Sequence, residues 1–89
     1  MTTEEILQEL SDMDPEMLLA DGFEEAIRGT AYRCAFGPVV AYDRGKCIRI
    51  LMDRDGMAWE EAEEFFSFNV EGAYVGERSP VYVTDFRAL

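Results

Sequence analysis

The stretch DRGKCIRILMDRDGMAWEEAEEFFSFNV, residues 43–70, decides the fold. Its apolar residues Cys47, Ile48, Leu51 and Met52 recur at helical spacing, and Arg44, Lys46, Arg49, Asp53 and Arg54 take the other side. Asp43 suits an N-cap, because its carboxylate accepts from the first unpaired amides of a helix. Gly56 is the natural stop, since glycine enters the left-handed region without steric cost. These signals predict a helix from Asp43 to about Arg54. A second helix is expected over 58–70, from about Trp59 to Asn69, with Trp59, Ala62, Phe66 and Val70 on one stripe. Glu60, Glu61, Glu63 and Glu64 then face outward. The short connection predicts that the two helices pack antiparallel.

Upstream, Thr3 followed by Glu4, Glu5, Ile6, Leu7 and Leu10 reads as a capped amphipathic helix, with acids in the first turn where the helix dipole favours them. It should end near Asp14, because Pro15 disfavours helix at the residue before it. Pro15 suits the first turn of a second short helix through Met17, Leu18 and Leu19, capped by Asp14 and broken at Gly22. Phe23 to Arg28 reads as a further helical turn or two, closed at Gly29. Thr30 to Tyr42 then changes period, and two short strands around Gly37 and Pro38, a candidate hairpin, fit it best. Downstream, Ala73 to Val75 and Val81 to Val83 alternate as strands do, forming a last hairpin or joining the earlier strands.

The expected architecture is therefore α+β. It is one domain over 1–89, dominated by helix, with an antiparallel helix pair and a small antiparallel sheet. An acidic helical arm over 1–28 precedes an α+β core over 29–85. Ile48, Leu51, Trp59, Ala62, Phe66, Val75 and Val81 are expected to share one core. With 89 residues, 48% of them hydrophobic, the chain can bury such a core, although a domain this small hides only about two-thirds of its unfolded surface.

Charge and missing residue types bound the function. Nineteen acids against eight bases give a net charge of -11, and there is no histidine. The acids are unevenly spread: nine and no base in residues 1–27, three against six bases in 28–56, and seven against two bases in 57–89. Charge runs usually form solvated faces, so internal pairing of these blocks is the simplest reading. Without histidine the common triads, zinc sites and imidazole switches cannot be built within the chain. Two cysteines, Cys34 and Cys47, are too few for a disulfide scaffold and read as free, buried thiols in a reducing cytosol. The start lacks signal-peptide character and no apolar run approaches a bilayer span, which argues against a membrane role.

Specific site patterns also fail. Asp53, Asp55 and Gly56 suggest an EF-hand turn, but with Gly56 at loop position six, positions one and twelve fall on Leu51 and Ala62. On one helix, Glu60, Glu61, Glu63 and Glu64 fan around the solvent face rather than converging on a metal. Cys47 on an apolar helix face is an inert core thiol rather than a nucleophile. Gly72, Gly76 and the Ser79-Pro80 turn make no phosphate cradle. Residues 43–69 resemble a helix-turn-helix, yet the second helix carries four glutamates and no base, so phosphate repulsion excludes direct nucleic-acid binding. No enzyme activity, metal or organic cofactor is expected. The aromatics Trp59, Phe65, Phe66, Phe68, Tyr74, Tyr82 and Phe86 read mostly as core, but a domain this small cannot bury all of them with the four remaining aromatics, so some should mark a contact surface, including a homodimer interface.

The segments VAYDRGKCIRILMDRDGM and EEAEEFFSFNVEGAYVGERSPVYV, within Val40 to Val83, resemble a family of small proteins of tailed bacteriophages and prophages. The resemblance rests on Asp55-Gly56-Met57, Glu61-Ala62, Phe68-Asn69 and Gly72-Ala73-Tyr74-Val75-Gly76-Glu77, and covers about half the chain. Where members often carry Ser or Thr, this chain has Ala58, which removes the N-cap of the second helix. The resemblance brings no activity, only a context in the host cytoplasm. Small acidic phage proteins frequently inhibit host machines, including restriction and CRISPR effectors, some by presenting carboxylates where DNA phosphates would lie. A phage structural or assembly role is the alternative. A charge near -11 steers the protein to basic protein surfaces. The expected contact residues are Glu60, Glu61, Glu63 and Glu64, with Glu4, Glu5 and Glu9 as a second acidic ridge.

Overall fold

The computed structural model describes residues 1–33, 36–73 and 76–88, the side chains at 36 and 88 aside. Among the described residues about 50% are helical and 21% are in strands, in one compact α+β domain.

Helix α1 runs Thr3–Met13. Its cap is Thr2 rather than Thr3, because only Thr2 has a glutamate three residues on. The Glu5 amide donates to Thr2 Oγ1 at 3.2 Å and the Thr2 amide donates to the Glu5 carboxylate at 3.0 Å, a reciprocal capping box. The helix stops ahead of Pro15 as expected. The second short helix through Leu19 does not form. Asp14 does accept from the Glu16 amide at 2.9 Å, as a cap would, but the Leu18 amide donates to the Arg78 carbonyl at 3.3 Å. A long-range bond has replaced the helical one. The expected helix at Phe23 to Arg28 shrinks to a 3₁₀ turn over Glu24–Ala26, because strand β1 already begins at Ile27.

Strands β1 (Ile27–Arg33) and β2 (Phe36–Asp43) pair antiparallel, with Thr30 opposite Val40 and Ala31 opposite Val39. Helix α2, Arg44–Asp55, starts on Asp43, whose carboxylate accepts from the Lys46 amide at 3.1 Å, and ends on Gly56 at φ 69°. Helix α3, Trp59–Phe66, packs on α2 and starts at Ala58 without a side-chain cap. It widens into a π turn over Ser67–Glu71, closed by the Gly72 amide donating to the Ser67 carbonyl at 3.0 Å.

Strand β3, Val81–Val83, joins the outer edge of β2, pairing Tyr42 with Tyr82. This pairing is parallel, so the sheet is mixed, with order β1-β2-β3, and not wholly antiparallel as expected. The reason is the crossover: α2 and α3 carry the chain back before β3 starts, which is the connection a parallel pair requires. Pro38 is tolerated in β2 because it lies outside the stretch that pairs with β3.

The core holds Ile48, Leu51, Ala62 and Phe66 as expected, together with Leu10, Met17, Phe23, Ala26, Ile27, Val40, Tyr42 and Cys47. Phe66 meets Phe23 and Tyr82 in T-shaped contacts, at ring separations of 5.7 Å and 5.0 Å, and Tyr82 stacks on Tyr42 at 5.6 Å. The buried Tyr42 hydroxyl accepts from the Ala20 amide at 2.8 Å. Two expected core residues are not buried. Trp59 is 46% exposed, since as the first residue of α3 it borders a surface cleft with Arg49 and Asp85. Val81 is exposed because strand alternation gives the inward position to Tyr82. Val75, and the proposed strand Ala73 to Val75 with it, falls at or within residues outside those described.

Candidate functional site

The sequence points to acidic faces, and the disposition of arginine decides how much of that charge stays available. Arg28, Arg44, Arg54 and Arg78 each pair with a carboxylate. Arg28 meets Asp85 at 2.7 Å, Arg44 meets Glu71 at 2.9 Å and Arg54 meets Asp55 at 3.2 Å. Arg78 holds Asp14 and lies 3.7 Å from Glu16. Asp14 is kept below the usual carboxylate range by its hydrogen bond from Arg78. The expected block pairing is thus only partial: the acidic N-terminal segment contributes Asp14 and Glu16 to these pairs, both after α1.

None of these pairs uses a glutamate of α1 or α3. Glu60, Glu61 and Glu64 are exposed and Glu63 is half-buried, so the four carboxylates fan along the outer side of α3. Glu4, Glu5 and Glu9 are likewise exposed on α1. Glu5 is engaged, since accepting the Thr2 amide lowers its pKa and commits it to the cap. The two ridges sit on separate supports, α1 chiefly against the 3₁₀ turn and α3 against α2, and no ion pair or hydrogen bond joins them among the described residues.

The α3 ridge includes residues beyond the expected glutamates. Phe65 is 40% exposed and Phe68 77% exposed. Glu61, Glu64 and Phe65 are spaced three and four residues apart on one face of α3, and Phe68 follows in the π turn. Glu61, Glu64, Phe65, Phe68 and Asn69 line a shallow depression of about 370 Å³. Within it Asn69 Nδ2 donates to the Phe65 carbonyl at 3.1 Å. The spacing was readable as a second stripe. It was masked by the stronger one formed by Ala62, Phe66 and Val70.

Other candidate residues serve the fold. Cys47 is fully buried, and burial, with the nearby Asp43 charge, pushes its thiol up to about 12, so it is not a thiolate at neutral pH. Cys34 lies outside the described residues. Asp55 is held by Arg54, and Gly56 serves as the cap of α2. No cluster of three or more potential metal ligands occurs among the described residues, and no described helix is long and apolar enough to cross a membrane.

The chain matches no family model, no curated protein and no solved structure. Its own surface is what bears on function.

Proposed function

We propose that the protein is a non-catalytic binder of a basic protein surface. In the phage setting that its sequence resembles, it acts as an inhibitor of a host nucleic-acid machine, an anti-restriction or anti-CRISPR DNA mimic among the options. One observation carries this reading: Glu60, Glu61, Glu63 and Glu64 stand on a firmly packed helix while the ion pairs of the described residues are made elsewhere. Carboxylates fanned along a rigid element are pre-organised for a cationic partner and repel phosphate. A net charge of -11 steers the encounter from a distance. Exposed Phe68 and Phe86 favour a second reading, assembly with other phage proteins.

The test is capture of partners from bacterial lysate, followed by competition with duplex DNA and by charge reversal of Glu60, Glu61, Glu63 and Glu64 to Lys. Release by DNA, together with loss of capture in the reversed variant, supports mimicry. A partner held regardless of both overturns it and favours assembly.

A further inference from the structure

The exposed aromatics of α3 and its π turn specify the contact more narrowly than charge does. Phe68 is largely exposed and Phe65 partly so, and both line one shallow depression with Glu61 and Glu64. A purely solubilising acidic face has no use for them.

The chain itself contains two filled examples of an arginine set between a ring and a carboxylate. The Arg44 guanidinium lies over the Phe66 ring, 5.7 Å from its centroid, and makes two bonds to Glu71 at 2.9 Å and 3.1 Å. The Arg54 guanidinium lies over the Phe23 ring at 5.5 Å and bonds both oxygens of Asp55 at 3.2 Å. In each case the ring face attracts the cation, while the planar fork matches the carboxylate. On the outer side of α3 the rings and carboxylates are present, and no arginine of the chain is paired there among the described residues.

We infer that the face formed by Glu61, Glu64, Phe65 and Phe68 receives arginine side chains of a partner protein, each guanidinium lying on a phenylalanine ring and pairing with a glutamate. This rests on the proposed binding of a basic surface and narrows it to arginine. Lysine meets the same charge, but its ammonium is compact and strongly hydrated and has no plane to stack or fork to match. The face therefore distinguishes two equally basic surfaces by residue type.

The experiment compares nona-arginine with nona-lysine, equal in length and charge, titrated into the isotope-labelled full chain at low salt and followed by NMR. Nona-arginine should bind about three- to tenfold more tightly, a difference of the size expected from one or two stacked guanidinium groups. The resonances moved should lie in residues 60–69. Phe65→Leu with Phe68→Leu keeps the apolar area but removes the rings. That variant should bring nona-arginine down to the affinity of nona-lysine and leave nona-lysine unchanged. Equal affinities in the unaltered chain, or a preference that survives loss of both rings, overturn the arginine assignment and leave the basic-surface reading standing. Shifts centred on α1 overturn the site. Failure of both peptides to bind overturns the two readings together.

Discussion

The guanidinium of Arg78 holds the carboxylate of Asp14 across 64 positions of sequence. Its Nη2 also donates to the Pro38 carbonyl at 3.1 Å, and the Arg78 carbonyl accepts from the Leu18 amide at 3.3 Å. One residue ties the end of α1 to strand β2 and to the turn before β3. Gly37 makes room for it, since a Cβ there would stand 3.0 Å from the guanidinium.

Removing this clasp should give a pH-dependent loss of stability. Asp14 has a folded pKa below its ordinary value of 3.8, so the pair stabilises the fold fully above that value and is lost as pH falls through the lower one. Arg78→Ala should therefore melt below the unaltered protein at about pH 5 to 7, with the gap closing under acid conditions. Calorimetry across pH checks this, and a gap that persists unchanged to about pH 2 would contradict it.

Two phenylalanines two positions apart should behave oppositely. Phe66 is fully buried between Phe23 and Tyr82, so Phe66→Ala should cost about 3–5 kcal/mol. Phe68 is exposed, and Phe68→Ala should stay within about 0.5 kcal/mol. Urea denaturation of both variants measures the contrast.

At Gly56 the backbone alone sets the cost. No atom lies within 4 Å of a built Cβ, but φ is 69°, so Gly56→Ala should destabilise by about 1–2 kcal/mol. Gly56→Asn should recover part of this, because asparagine tolerates the left-handed region. A neutral alanine variant would mean that α2 ends differently.

Cys47 should resist alkylation in the folded protein. Its thiol is fully buried, with a pKa of about 12, whereas in denaturant it becomes an ordinary cysteine. Mass-spectrometric mapping after iodoacetamide treatment should find Cys47 modified only on unfolding. Rapid native modification would show that the α2 core opens.

Legibility from sequence followed the range of the forces involved. Asp43, the apolar spacing of Cys47 to Met52, and Gly56 are signals within one element, and α2 appears where they put it. The helix expected after Pro15 was lost to the bond from Leu18 to the Arg78 carbonyl, a contact no local window contains. The parallel register of β3 depends on where the crossover returns, which alternation in Val81 to Val83 does not encode. Trp59 fits the helical stripe but stands at its first position, where periodicity does not distinguish core from rim. At the candidate site the glutamates were legible from charge and period, whereas the role of Phe65 and Phe68 required knowing which aromatics the core had already taken.

The parallel placement of β3 also orders events in time. β1 and β2 are neighbours in sequence and can zip locally, while β2 and β3 meet only after a long loop has closed around both helices. Tyr82, stacked on Tyr42 and perpendicular to Phe66, should then be among the last side chains to lock. Damage there should leave the ascent to the folding barrier nearly untouched and shorten the lifetime of the native state instead.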